Sequence, residues 1–185
     1  TAHGQKPLPA INKQHMGLFN FYKKNQETSE SKSPSEKYLE HLNYIFQIEP
    51  KIYLNESLID GVPGVSTIVY EDIPEKGCIT AFTYGLSLCK HPEWKVGRPE
   101  LCLSVESSNF EWGQIAGLIA NKLRGDCPFS YGQTINFGER ISKDSEMEAF
   151  FIFAPSTLDK DGYANIDIGL DYRINIVGLY PMYAD

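Results

Sequence analysis

The clearest pattern of apolar and polar positions in this chain runs from residue 109 to residue 139. Apolar side chains recur there at spacings of three and four, at Trp112, Ile115, Ala116, Ile119, Ala120 and Leu123. This spacing places them on one face of an α-helix. Lys122 and Arg124 suit the carbonyl end of the helix dipole, and Gly125 can adopt the left-handed conformation that ends a helix. The pattern predicts an amphipathic helix packed on a sheet.

Beyond this helix the pattern changes to alternation. Pro128 forbids continuation of the helix, and Phe129, Tyr131 and Gln133 alternate with smaller polar residues. We therefore predict a strand over 129–137 that follows the helix through a tight corner.

The remaining pattern predicts one more helix and a set of strands. The helix begins with Ser35 as N-cap, buries Tyr38 and Leu42, and is ended by Pro50. Strands are predicted at Ser66–Glu71, Cys78–Leu88, Pro99–Glu106, Ala149–Ala154 and Ile166–Tyr180, the last being richest in β-branched residues at Ile174–Leu179. Gly85 indicates a bulge or a close backbone approach. These elements predict an α+β fold, with a mixed, mostly antiparallel sheet packed by two main helices.

The N-terminal part of the chain lacks this periodicity. Residues 1–15 show no pattern, and the run that starts at Met16 is typical of a native start, so we interpret 1–15 as a cloning remnant or an upstream extension. Lys23–Ser35 has the composition of a polar linker. We predict an extension and linker over 1–35 and one domain over 36–185.

Charge and cysteine usage limit the possible partners and the compartment. The net charge is −7 and the pI about 5.1, which argues against nucleic acid or an anionic membrane as a partner and is compatible with a basic protein. Four cysteines lie beside apolar runs without a C-x-x-C spacing, and no apolar run is long enough to span a bilayer. We expect a reduced, cytoplasmic protein and leave the oligomeric state open.

Catalytic and metal-binding motifs are not apparent in the sequence. No serine lies in a G-x-S-x-G elbow, the histidines are scattered, and Asp159-Lys-Asp-Gly is closer to a turn than to a calcium loop. Arg98-Pro-Glu100 is expected to anchor the start of a strand. We predict no enzymatic activity, no metal and no cofactor.

Acidic and aromatic residues are the first candidates for contact with a partner. Carboxylates at a strand end are Glu71, Asp72 and Glu75, and Glu93 and Glu100 flank Trp94 in a loop. Acidic strand ends with an aromatic residue between them can hold a basic partner. The alternative is that these carboxylates form a solvated rim.

A second set of candidates lies on the predicted strand over 129–137. Phe129, Tyr131, Gln133 and Asn136 combine aromatic rings with amides, a composition typical of protein-binding surfaces. The alternative is that Phe129 and Tyr131 pack under the helix.

Several short segments occur in an order that suggests a known family. They are Thr83-Tyr-Gly-Leu-Ser87, His91-Pro-Glu-Trp94, Arg98-Pro-Glu-Leu101, residues 128–137, Phe153-Ala-Pro155 and residues 176–181. Together they resemble the Suppressor of fused domain in its compact bacterial form, over residues 36–185. The resemblance implies an α+β domain without known enzymatic activity that binds other proteins.

The resemblance suggests two kinds of partner. Animal members hold a peptide strand of a transcription factor between two domains. Phe129 fits the aromatic residue that the matching strand contributes, whereas Gln133 stands where those proteins have an acidic residue. The resemblance also implies that bacterial relatives are immunity proteins, which bind and neutralise toxins by occlusion. We take an immunity protein for a cognate, basic toxin as the first hypothesis, and a regulatory module that binds a peptide strand as the alternative. Acidic residues on one face would favour the first, and an unpaired sheet edge beside Tyr131 the second.

Overall fold

A computed structural model gives the structure of the chain and describes residues 32–184; predictions for residues 1–31 lie outside this range. The helices are α1 (Pro34–Phe46), α2 (Glu111–Leu123) and α3 (Lys160–Tyr163). The strands are β1 (Lys51–Asn55), β2 (Val65–Glu71), β3 (Cys78–Tyr84), β4 (Arg98–Glu106), β5 (Thr134–Asn136), β6 (Ala149–Phe153) and β7 (Ile174–Met182).

The strands form one mixed sheet in the order β1-β2-β3-β4-β7-β6-β5. β4 and β7 are parallel, with Arg98 opposite Ile174 and Leu103 opposite Leu179. The other neighbouring strands are antiparallel. The predicted α+β fold, with a mostly antiparallel sheet and two main helices, is confirmed.

The two longer helices cover opposite faces of the sheet. Side chains alternate along each strand, so Val69 contacts the core under α2 while Ile68 contacts the core under α1. The α2 core contains Trp112, Ala116, Ile119 and Ala120 from the predicted stripe. The α1 core contains Tyr38 and Leu42, with Phe82 of β3 beneath the helix. The amphipathic stripes read from the sequence therefore correspond to real buried faces.

Two glycines bring α2 close to the sheet. A Cβ atom at Gly117 would lie 1.8 Å from Thr67 Oγ1, and one at Gly113 would lie 3.0 Å from Val69 Cγ1. Since real side chains cannot approach to 1.8 Å, glycine at position 117 sets the distance between α2 and β2.

The ends of α1 differ from the prediction. Ser33 is the N-cap in place of Ser35, because Ser33 Oγ accepts a hydrogen bond from Glu36 N and the Glu36 carboxylate accepts one from Ser33 N, which is a capping box. The helix ends at Gln47, whose φ of 53° is left-handed, before Pro50 is reached.

The predicted strand over 129–137 is wrong for most of its length. Only Thr134–Asn136 forms a strand, because Phe129 (φ 52°) and Gly132 (φ 89°) turn the backbone. For the same reason β3 ends at Tyr84 and not at residue 88: Gly85 has a φ of 129°, and a Cβ there would lie 2.7 Å from Gly64 O. The close backbone approach inferred for Gly85 is confirmed.

Three further elements differ from the sequence pattern. β1 was not predicted; it is a short edge strand with irregular exposure. Residues 166–173 form no strand apart from a bridge between Ile166 and Ile174, and the turn predicted at Asp159-Lys-Asp-Gly forms the N-cap and start of α3.

Candidate functional site

A buried carboxylate organises the connection from β3 to β4. Glu100 is fully buried and accepts hydrogen bonds from Thr83 Oγ1 (2.6 Å), Gly85 N (2.8 Å), Ser87 N (3.0 Å) and Ser87 Oγ (2.7 Å). Burial raises the pKa of Glu100, and these hydrogen bonds oppose the rise. The expected anchoring role is confirmed, whereas the interpretation of Glu100 as an exposed carboxylate beside Trp94 is wrong.

Arg98 fixes the same connection from the side of β4. Its Nη1 donates to the carbonyls of Ser87 (2.9 Å) and Cys89 (3.0 Å), and its guanidinium lies 3.7 Å from the centre of the Tyr172 ring. Hydrogen bonds therefore hold both ends of the loop that carries Trp94.

Trp94 joins this loop to the corner that follows α2. Its indole Nε1 donates to Pro128 O at 2.8 Å. Beside it lies a surface cavity of about 270 Å³, called here the Trp94 pocket. Its lining residues are Glu93, Trp94, Lys95, Val96, Gly97, Pro99, Pro128, Phe129, Asn175 and Val177. Three predicted partner-binding residues, Glu93, Trp94 and Phe129, thus meet at one place.

Phe129 and Tyr131 differ in their surroundings. Phe129 is 2% exposed and belongs to the α2 core, as the alternative interpretation had it. Tyr131 is 50% exposed and does not pack under the helix; its ring lies 5.3 Å from that of Phe153. Phe151, in turn, stacks 6.0 Å from Phe153. We call Tyr131, Phe151 and Phe153 the aromatic surface.

The aromatic surface lies on the α1 side of the sheet, beyond the reach of α1. Phe150 and Ile152 belong to the α2 core, so their neighbours Phe151 and Phe153 must point to the other face. Phe151 is 36% and Phe153 51% exposed. The strand predicted at Ala149–Ala154 is thus buried on one face only, which its continuous run of apolar residues does not reveal.

The edge strand β5 follows Tyr131 in the chain and pairs with β6, which carries Phe151 and Phe153. Gln133 O accepts from Ile152 N, and Phe137 N donates to Glu148 O, both at 2.9 Å. Because antiparallel partners bond at alternate residues, the backbone groups of Thr134 and Asn136 point away from β6. Within residues 32–184 no strand pairs with this edge.

The two amide candidates support their own turns. Gln133 Oε1 accepts from Ser130 N, and Asn136 Oδ1 accepts from Gly138 N, both at 2.7 Å. Their side chains shape the corner before β5 and the turn after it.

Glu71 is the last residue of β2, Asp72 and Glu75 lie in the turn between β2 and β3, and all three are exposed. Glu71 pairs with Lys51 at 2.8 Å, and Asp72 Oδ1 accepts from Gly77 N at 2.8 Å. Since β2, β3 and β4 are antiparallel neighbours, this turn lies at the opposite end of the sheet from the β3–β4 connection. The acidic candidates therefore form two groups, and they do not share one cluster with Trp94.

The described residues offer little for catalysis. No group of three His, Cys, Asp or Glu side chains among residues 32–184 is placed to hold a metal ion. The four cysteines are free, and burial raises the pKa of Cys102 to about 12, which keeps it a thiol. None of the described helices has the length and apolar character needed to cross a membrane.

Comparison with known proteins identifies a shared fold. No protein-family model and no curated protein matches the sequence. Among solved structures, a protein of Neisseria gonorrhoeae FA 1090, assigned as a homologue of the suppressor of fused protein, matches with a TM-score of 0.58 and 15% sequence identity, over 80% of this chain and 76% of that chain. This chain has the same fold. The Suppressor of fused-like fold expected from the sequence is confirmed, and the immunity-protein form of that family stays a prediction.

Sequence reasoning missed the residues that hold these surfaces in place. Thr83, Ser87 and Glu100 lie inside two of the segments that suggested the family, so their signal was present although their shared contact was not deduced. Arg124 was interpreted as a cation at a helix end. It is 2% exposed and donates to Pro63 O (2.6 Å) and Gly85 O (3.3 Å).

Proposed function

We propose that this chain is a non-enzymatic protein-binding domain whose partner covers the aromatic surface and adds a strand to β5. The observation that carries the proposal is the aromatic surface: the rings of Tyr131 and Phe151 each contact that of Phe153, and all three are a third to a half exposed beside an open sheet edge. Contiguous exposed aromatic groups are typical of binding sites, and aromatic residues often supply most of the binding energy.

The edge and the rings have different parts in this proposal. β5 has three residues and presents the backbone groups of only two, Thr134 and Asn136, so strand addition would fix the register of a partner and contribute few hydrogen bonds. The rings of Tyr131, Phe151 and Phe153 would supply the apolar area and hence most of the affinity.

Two classes of partner are consistent with this surface. A peptide strand, as in the regulatory hypothesis, is favoured by the open edge beside Tyr131. A basic toxin, as in the immunity hypothesis, is favoured by the net charge of −7, which would accelerate encounter with a cationic protein. Since the acidic candidates lie at two ends of the sheet, the geometry supports the peptide strand best.

The test of the proposed surface is capture of partners by a double variant. Tyr131→Ser with Phe153→Ser removes two rings, and Tyr44→Ser is the matched control, because Tyr44 is 82% exposed and lies on α1. The comparison uses only variants whose Tm, measured by thermal unfolding, equals that of the wild type. We expect the double variant to lose a partner that both the wild type and the control retain. Identical partners in all three samples would refute the proposal.

Charge separates the two classes of partner once one is captured. Glu71→Gln with Asp72→Asn removes two negative charges from the end of β2 and the turn after it, and the asparagine keeps an acceptor for Gly77 N. For a basic toxin we expect the association rate at low salt to fall about tenfold, and salt to release the complex. The exposed residue Glu49, changed to Lys, is the control for net charge. An unchanged rate together with salt-insensitive binding would remove Glu71 and Asp72 from the site and favour the peptide module.

A further inference from the structure

We infer that the Trp94 pocket receives a single large apolar side chain of a partner polypeptide, with a cationic residue next to it. This rests on the proposed protein-binding function and adds an anchor site separate from the aromatic surface.

The size of the pocket favours a side chain over a free small molecule. Its volume of about 270 Å³ is below the roughly 300–1,000 Å³ of typical small-molecule sites. It is sufficient for one indole or phenyl group. Pro99, Pro128, Phe129 and Val177 contribute apolar walls beside the Trp94 ring. Such a surface stabilises an apolar group mainly by removing it from water.

The walls of the pocket are fixed before any partner arrives. Trp94 Nε1 is bonded to Pro128 O, and Asn175 Nδ2 donates to Val96 O at 2.7 Å. A Cβ at Gly97 would lie 2.4 Å from Asn175 Nδ2, so the loop is pressed onto the start of β7. Because the side chains of the pocket are already ordered, binding a partner there loses little conformational entropy.

The rim favours a cationic neighbour. Glu93 is exposed and makes no ion pair with another described residue. Glu93 and Pro128 line the same pocket, and the Glu93 charge adds to the effect of burial in raising the pKa of Cys127. Lys95 lies on the same rim and offsets part of the negative charge of Glu93. The net charge of −7 gives the whole chain an attraction for cations.

The test is a titration followed by NMR of the tryptophan side chains. The chain has two tryptophans, so a ¹⁵N-labelled sample gives two indole N–H resonances. Trp112 serves as internal control, because its indole donates to Asp144 Oδ1 at the other end of β4. The probes are the blocked tripeptides Arg-Trp-Arg, Arg-Ala-Arg and Glu-Trp-Glu, and free indole.

We expect Arg-Trp-Arg to shift the Trp94 resonance saturably and to leave Trp112 unchanged. Arg-Ala-Arg should give no saturable shift, and Glu-Trp-Glu should bind more weakly. The inference is overturned if neither resonance moves, if both move alike, or if free indole binds as tightly as Arg-Trp-Arg, which would indicate a small-molecule site.

Two variants and their controls locate the effect. Val96 is 79% exposed, so Val96→Trp places a ring across the mouth of the pocket and should abolish the shift of the Trp94 resonance. Leu58→Trp, on another loop, should leave that shift unchanged. Glu93→Lys should weaken Arg-Trp-Arg binding about fivefold, as expected for replacing one exposed attraction by a repulsion, and Glu49→Lys should have no such effect. If Val96→Trp still responds like the wild type, the pocket assignment is wrong, even where the Tyr131 and Phe153 variants support the proposed function.

Discussion

Removal of the Glu100 carboxylate is the sharpest test of how the fold holds its β3–β4 connection. In Glu100→Ala, the backbone N–H groups of Gly85 and Ser87 lose their acceptor. The hydroxyls of Thr83 and Ser87 lose theirs as well, but they can rotate towards other partners. The two backbone donors cannot, so they decide the size of the effect.

The expected loss follows from these two donors. A buried donor left without a partner costs about 1–3 kcal/mol, so two of them cost about 2–6 kcal/mol. Alanine also relieves the desolvation of a buried carboxylate, which places our expectation in the lower half of this range, at about 3 kcal/mol. That is a large share of the roughly 5–15 kcal/mol by which domains are stable. Glu100→Gln keeps a carbonyl oxygen for both donors and should retain most of the stability.

Urea unfolding of the three proteins at several pH values measures both effects. Since burial raises the pKa of Glu100 in the folded chain, its contribution to stability is complete below the usual value of 4.5 and is lost as the pH rises through the folded pKa. Glutamine does not titrate, so Glu100→Gln should gain stability relative to the wild type over that range. A loss below about 1 kcal/mol in Glu100→Ala, or an equal loss in both variants, would refute the hydrogen-bond argument.

Two further predictions test the loop between β5 and β6 and the contact between α2 and the sheet. Hydrogen bonds, first of all from Ser142, lower the pKa of Asp144 from 3.8 to about 2. The stability that Asp144 contributes is therefore present above pH 3.8 and is lost as the pH falls to about 2. Asp144→Asn should flatten that part of the profile of stability against pH, measured by thermal unfolding. Gly117→Ala should lower the free energy of unfolding in urea by about 2 kcal/mol or more, although alanine favours helices, because its Cβ would overlap Thr67 Oγ1. Gly113→Ala, with contacts of 3.0 Å and above, is the milder matched change, and equal losses in the two variants would contradict the packing argument.

The layers of the fold could be predicted because each has a periodic signal. The stripe at Trp112, Ala116 and Ile119 reports a buried helix face, and the strands β2 and β4 were found to within one residue of each end. Elements fixed by single dihedral angles were missed. Phe129 has a left-handed φ that residue type alone does not suggest, and it converts an apparent strand into a turn.

The candidate site was predicted only in part, because it depends on which ends of the sheet meet. Glu93, Trp94 and Phe129 are far apart in sequence, and the Trp94–Pro128 hydrogen bond joins their loops. Glu71 is equally acidic and equally exposed, but the direction of β2 places it at the other end. Sequence gives the chemistry of such residues, while the strand order decides which of them a single partner can reach.

Two buried charged side chains that the sequence did not reveal contact the peptide units on either side of Gly85. Glu100 accepts from Gly85 N, and Arg124 donates to Gly85 O, so a carboxylate and a guanidinium hold the same glycine from its two polar groups. A buried charge is costly unless hydrogen bonds compensate it. Here the N–H and C=O of Gly85, which lies just beyond the end of β3 at a φ of 129°, supply part of that compensation, and hydroxyl groups of Thr83, Ser87 and Ser57 supply more. The charged pair therefore makes the sharp exit from β3 possible, and that exit directs the following loop, with Trp94, towards the corner after α2.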